Sequence, residues 1–347
     1  MAEANEPNEL NEPNELNEPN ELNELLKKGY IGNPSQLASV RRVTVSEGRA
    51  KGAGIIEVRT AGGLELDVLP DTGLDIGSCR FAGINMSWMS KNGYDSPAVI
   101  GNYDEEFNNT FPGGLLYTCG MRNAGPANRD GGEWQPVHGR YHGIAADNVR
   151  AGIDGGDAVI SGTVRETALF GHVLEIRREI RIPVSGASVF IEDTVTNVSP
   201  RDEEIMTIYH CNFGYPLLSE NARLVLPDGR RTVPRTEFAR TGLGRELVFD
   251  PPLEEPERVF FHEMDGIFEA VIENPSIGVK AALSWSGATL PVLAEWRCMA
   301  AGDYVLGLEP SNCYIMGRSA ERENGTLAVL KAFGSVKNRV CICFGRV

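Results

Sequence analysis

The chain has 347 residues, with 33 Lys plus Arg against 48 Asp plus Glu and a formal net charge of −15. Residues 1–26 carry eight Glu and no basic residue, so residues 27–347 carry −7 (−15 + 8). That balance argues against a general nucleic-acid binder, which needs clustered Lys and Arg to neutralise phosphates. No stretch approaches the roughly 18–20 apolar residues of a membrane span. With 41% hydrophobic and 23% charged residues, the composition is globular, with material for one large domain or two ordinary ones.

The first residues show no basic segment followed by an apolar run, so no signal peptide is expected. Residues 5–22 repeat Asn-Glu-Pro-Asn-Glu-Leu three times. Pro in each unit prevents a continuous helix, and the charge repels itself, so residues 1–26 are read as a disordered acidic tail. A helical turn is expected at 24–28, where the body begins.

Residues 54–60 and 64–69 are short, β-branched and bounded by Gly or Pro, as strands are. Residues 172–182 put Leu174, Ile176, Ile180 and Ile182 on one face. Residues 188–197 do the same with Val189, Ile191 and Val195, with Asp193 as a polar exception. The pattern recurs at 267–273, 277–285, 303–309, 326–333 and 338–345. Period two without an alternating helix rhythm predicts an all-β fold, a large antiparallel β-sandwich, with 27–347 as a single domain. The stretch 88–147 is rich in Gly, Asn and Pro, and a loop region of that length tends to carry function.

Seven Cys are scattered without C-x-x-C spacing, which predicts reduced thiols and a cytoplasmic protein. Cys341 and Cys343 share a strand face and read as packing rather than half a zinc site. The five His are informative because they are few. His138 ends the long loop region, and His210 lies where a strand runs into a Gly/Pro turn. Glu309 closes an apolar run, where a carboxylate is costly to bury without a partner. Each alone could be an ordinary packed or solvated residue.

Together, three blocks resemble the aldose 1-epimerase (galactose mutarotase-like) superfamily: His-Gly at 138–139, Val-Thr-Asn-Val-Ser at 195–199 followed by His210 with Asn212, Phe213 and Gly214, and Leu-Glu-Pro at 308–310. More narrowly the chain is similar to an uncharacterised, DUF4432-type branch, through Gly-Leu-Asp-Ile-Gly (73–77), Gly-Gly-Leu-Leu-Tyr-Thr-Cys-Gly (113–120), His-Gly-Arg (138–140), Tyr-His-Cys-Asn-Phe-Gly (209–214) and Leu-Ala-Glu-Trp (293–296). It departs from the better-known mutarotases in Arg140 after the first His-Gly and in Pro310. It departs from the branch at Thr72, where an Arg is common.

The resemblance implies a mutarotase, interconverting sugar anomers by ring opening with a general base and a general acid across the ring, and with no metal and no redox cofactor. It implies Glu309 as base, His210 as a protonated acid, and His138 as a ligand of sugar hydroxyls. Trp296 or Trp88 could stack on a pyranose. Arg140, Asn123 and Asn212 are further candidate ligands, and Asp75 is read either as a sugar ligand or as a strand-turn cap. The expected partner is a small-molecule sugar, without nucleic acid or membrane, and a homodimer is left open. Two alternatives stand beside this reading. One is a metal-dependent isomerase or lyase on the same fold, although Gly139 and Gly143 speak against a helix converging His138 and His142 on a metal. The other is a non-catalytic carbohydrate-binding protein, which would not require an acid-base pair.

Overall fold

The structure, a computed structural model, describes residues 21–98 and 106–347. The period-two runs form strands. Gly54–Thr60, Leu64–Leu69 and Ser188–Asn197 have the expected bounds. Val173–Pro183, Glu269–Asn274, Val279–Trp285, Asp303–Ser311 and Ser335–Arg346 differ only at their ends. The run at 326–333 shortens to Ala328–Leu330, because the chain then turns, with the Gly334 amide donating to the Lys331 carbonyl, before entering Ser335–Arg346. Most of the repeat tail, residues 1–20, lies outside the described residues. Residues 21–26, counted with the tail in the sequence reading, belong to a helix, Glu21–Lys27. Among the described residues no helix is long and apolar enough to cross a membrane.

Three sheets build an antiparallel β-sandwich. The eight-stranded sheet runs from Arg223–Val225 through Glu269–Asn274, Val279–Trp285, Ser335–Arg346, Ser188–Asn197, Val173–Pro183 and Asp157–Thr167 to Asp147–Asp154. The five-stranded sheet joins Ala38–Thr44, Gly54–Thr60, Leu64–Leu69, Asp75–Phe81 and Ile84–Asn85 in chain order. The seven-stranded sheet is ordered Arg231–Pro234, Arg258–Glu263, Val292–Ala300, Asp303–Ser311, Glu203–Phe213 and Ala328–Leu330, with Tyr117–Met121 also paired to Glu203–Phe213.

The main core draws on the inward faces of all three: Ile160, Ile180, Ile191 and Ile342, then Val58 and Leu66, then Tyr209, Cys211, Phe213, Leu306 and Leu308. Each such aliphatic side chain contributes roughly 1.5–3 kcal/mol by leaving water. The seven-stranded sheet is covered on its other face as well, by a second cluster with Tyr117, Ile208, Val259, Phe261 and Ala294. Two covered faces explain why residues 205–213 are all buried, with no polar alternation.

A cluster of charged side chains sits inside the sandwich. Arg178 and Asp193 stand directly opposite on neighbouring strands, and the guanidinium donates to both Asp193 oxygens at 2.9 and 2.7 Å. It also reaches Asp75 Oδ1 at 2.5 Å and Thr118 Oγ1 at 2.8 Å. Tyr209 donates its hydroxyl to Asp193 at 2.8 Å. Asp75 additionally accepts from the Thr118 amide and hydroxyl, at 2.7 and 2.6 Å. Asp193, the polar exception in its strand, is thereby satisfied. Asp75 is corrected: fully buried and saturated by protein donors, it belongs to this internal network and has no surface to offer a sugar.

Candidate active site

The site lies on the face of the seven-stranded sheet that points away from the main core, and strand register assembles it. His210 is opposite Tyr117. The Cys211–Leu308 pairing sets His210 opposite Glu309 on the next strand. Glu309 is opposite Ala294, and Gly307 is opposite Trp296, which is opposite Val259. Directly opposed residues share a face and every second residue returns to it. Tyr117, His210, Asn212, Gly307, Glu309 and Trp296 therefore project together.

His210 Nε2 and Glu309 Oε1 are 3.1 Å apart, with the residues only 4% and 2% exposed. The sequence reading set acid and base on opposite sides of a sugar; the structure has them touching. An ion pair would need both groups charged, and burial opposes both charges. Desolvation raises the Glu309 carboxyl from 4.5 to about 8, with the charge of Arg235 opposing and that of Glu257 adding. Desolvation, then the charge of His138, lowers His210 from 6.5 to about 3. Both shifts run toward a neutral pair, a carboxylic acid beside a neutral imidazole.

His138 reaches the pair from the long loop. It adopts φ of +54°, and Gly139 after it has φ of +76°. A Cβ on Gly139 would lie 2.2 Å from the Gly120 carbonyl oxygen, so only glycine lets the loop cross there. The Gly125 amide donates to His138 Nδ1 at 3.4 Å, which assigns the proton of the neutral ring to Nε2. Burial, then the charge of Arg235, pushes its pKa down to about 4. The His138 and His210 rings meet edge to face, with centroids 6.0 Å apart.

Aromatic rings close over these groups. Phe111 packs at 5.4 Å from the His210 ring and 4.9 Å from Tyr117. Phe107, on the short helix Glu106–Thr110, stacks on Phe111 at 4.9 Å and lies 4.9 Å from His138. Trp296 stands 5.3 Å from His210 and 5.9 Å from Trp88, so both candidate tryptophans border the site. The Trp296 indole donates to Glu257 at 2.6 Å. His142 stacks on Tyr117 at 5.0 Å, and burial followed by the charge of His138 holds its pKa down near 3.

Three buried polar atoms here lack a hydrogen-bond partner, His142 Nδ1, His210 Nδ1 and Asn212 Oδ1, and Glu309 Oε1, although 3.1 Å from His210 Nε2, makes no hydrogen bond to it. Buried polar atoms are normally satisfied, so these orphans are open to a ligand's polar groups. Among the described residues no three His, Cys, Asp or Glu side chains converge in a metal-holding group.

The remaining candidates separate. Asn212 is at the site, its amide donating to the Gly114 and His210 carbonyls at 3.0 and 3.1 Å. Asn123 is corrected. It donates to the Pro126 and Pro136 carbonyls and accepts from Asn128 Nδ2 and the Arg318 amide, so its full capacity goes to holding the loop that carries His138. Arg140 is half-buried beside Gly139. Reading the sequence did not single out Phe107, Phe111, Gly307 or Arg235. Gly307 and Tyr117 were within reach, one two residues before Glu309 and the other inside the 113–120 block. Arg235 carried no signal in the sequence.

A family model described as a domain of unknown function, DUF4432, matches residues 50–342. No curated protein matches the chain. Among solved structures, a candidate aldose 1-epimerase from Klebsiella pneumoniae aligns with a TM-score of 0.83 at 23% identity, covering 88% of this chain and 83% of that one. A galactose mutarotase-like protein from Clostridium acetobutylicum aligns with a TM-score of 0.65 at 16% identity, over 90% and 100% of the two chains. A galactose 1-epimerase from Lactobacillus acidophilus aligns with a TM-score of 0.62 at 15% identity, over 89% and 99%.

Proposed function

We propose, for a chain that belongs to the DUF4432 family and has a galactose mutarotase-like fold, the activity of a sugar mutarotase that interconverts anomers by acid-base ring opening. The observation that carries the reading is the touching, buried His210–Glu309 pair under a roof of aromatic rings, beside unsatisfied polar atoms. The solved structures named as epimerases or mutarotases support it through the fold they share with this chain.

The reaction moves two protons between oxygens bonded to one carbon. The C1 hydroxyl loses its proton, the ring oxygen gains one, and the C1–ring oxygen bond breaks to leave the aldehyde. Rotation about C1–C2 and closure on the other face reverse both transfers. Because both oxygens sit on C1, an acid and a base in contact suit the substrate better than a widely separated pair. His210 and Glu309 stand close enough, at 3.1 Å, for the carboxyl proton to pass to the imidazole. A sugar whose hydroxyls occupy the orphaned polar atoms stabilises the charged arrangement, with Glu309 ionised to accept from O1 and His210 protonated to serve the ring oxygen. Closure uses the same groups in the opposite sense, so no proton is gained or lost per turnover. His138, with Nε2–H free of its loop contact, donates to a hydroxyl. Trp296 and Trp88 offer apolar faces for the ring. Phe107 and Phe111 exclude water, and their segment must shift for a sugar to enter.

Polarimetry or NMR anomer exchange over a broad panel of aldoses and uronic acids tests this. The wild type is expected to equilibrate at least one sugar faster than a Glu309→Gln/His210→Asn double variant. Equal rates over the whole panel sink the proposal.

A further inference from the structure

Arg235 occupies a distinctive position on the rim of the site. It follows the edge strand Arg231–Pro234, and its amide donates to the Val259 carbonyl at 2.9 Å, continuing the pairing of Pro234 with Phe260. Arg235 is thereby opposite Val259, which is opposite Trp296, which is opposite Gly307. Its side chain leaves the same face as Trp296 and the acid-base pair, about three strand spacings, or roughly 14 Å, from Gly307. Val259 and Trp296 lie between, and the guanidinium is near enough for its charge to act on both His138 and Glu309.

The neighbouring arginines are all engaged. Arg231 pairs with Glu263 at 2.9 Å, Arg258 pairs with Glu255, and Arg230 lies 3.5 Å from Glu246. Arg235 is half-buried, yet no described carboxylate lies within ion-pair distance of it, and no described residue accepts a hydrogen bond from its side chain. Glu257 is on the same rim, but it accepts from the Trp296 indole and does not pair with Arg235. A partly desolvated guanidinium whose donor fork is unfilled among the described residues favours a planar or tetrahedral oxyanion held by two hydrogen bonds.

We infer that the site takes an anionic aldose, whose carboxylate or phosphate is held by Arg235 while its anomeric carbon lies at His210 and Glu309. The inference rests on the mutarotase reading for the second half of that statement only. The oxyanion would hang from the sugar carbon farthest from C1, because Arg235 and the acid-base pair stand at opposite ends of the Val259–Trp296 row. Arg235 acts as a binding and specificity residue and moves no proton.

The test measures anomer exchange by NMR for glucuronate and galacturonate, for glucose 6-phosphate and galactose 6-phosphate, and for glucose and galactose. The proteins are the wild type, Arg235→Met and Arg235→Lys. The wild type is expected to show kcat/KM at least about 10-fold higher for one anionic class than for the matching neutral sugar; which class responds separates carboxylate from phosphate. Arg235→Met is expected to reduce that ratio by about 10–100-fold, mainly through KM, the loss of a charge-assisted pair. Arg235→Lys should keep part of it. A ratio unchanged in Arg235→Met overturns the inference and leaves the mutarotase reading standing. Should no sugar exchange with any protein, ligand-observed NMR binding decides. Arg235-dependent binding of an anionic sugar supports the anion site while the mutarotase reading falls, and its absence overturns both.

Discussion

Gly307 stands between His210, Glu309 and Trp296, where a Cβ would lie 2.8 Å from Glu309 Oε1, 3.1 Å from Trp296 Cε3 and 3.2 Å from His210 Cε1. Gly307→Ala should therefore displace the acid-base pair. We expect kcat to fall at least about 10-fold with a stability cost of about 1–3 kcal/mol, the range for overpacking, read by anomer exchange beside thermal unfolding. The titration of the pair gives a second expectation. The Glu309 carboxyl is raised in the folded state to about 8 from an ordinary 4.5. Its share of stability is fully present below about pH 4.5 and is lost as pH rises toward 8. His210 is lowered to about 3 from 6.5, so its share is present above 6.5 and is lost as pH falls. Glu309→Gln removes the first dependence alone. It should unfold at a higher temperature than the wild type at pH 8–9, by the equivalent of about 1–3 kcal/mol, with the difference shrinking toward pH 5. A variant equally or less stable at pH 9 would show that Glu309 is not buried as a carboxylic acid.

Strand by strand, the elements show what period two can and cannot reveal. Ser188–Asn197 alternates cleanly because one face meets the core and the other is half-exposed, and its bounds were legible. Glu203–Phe213 is buried on both faces, so apolar content alone could not say which side of it carried His210. That required register with Asp303–Ser311, a long-range pairing invisible to local pattern. The same holds for Arg178, which interrupts the otherwise aliphatic inward row of its strand. It makes sense only with Asp193 and Asp75 in place. The motif blocks located His138, His210 and Glu309 because those side chains lie in glycine-marked stretches, and Trp296 through the Leu-Ala-Glu-Trp block. They misplaced Asn123 and Asp75, whose neighbours in the fold, not in the chain, consume their hydrogen bonds. Arg178→Met should destabilise by about 3–5 kcal/mol, since two buried carboxylates lose their counter-charge. Denaturant unfolding checks this, and a cost under about 1 kcal/mol would mean the network relaxes to water.

At the scale of the whole molecule, the seven-stranded sheet divides labour between its faces. One face, with Tyr209, Cys211, Phe213, Leu306 and Leu308, locks into the main core. The other presents His210, Gly307 and Glu309 to the site. Strands fixed from behind by packing hold His210 and Glu309 in place, as the proposed acid-base pair requires. The net charge of −15 is distributed in a similar way, with more than half of it in residues 1–26, before the residues that form the sheets. What bears on the reaction is the local set of Glu309, Glu257, Arg235 and the three histidines around them. The most direct test of that arrangement is magnetisation-transfer NMR between the α and β anomers of the best substrate. It compares the wild type with Glu309→Gln, His210→Asn and the double variant. If the two residues act as one proton-sharing unit, each single change lowers kcat by about 10²–10⁴, and the double variant is no slower than the worse single one. Exchange that survives removal of both side chains, or losses that simply multiply, would contradict it.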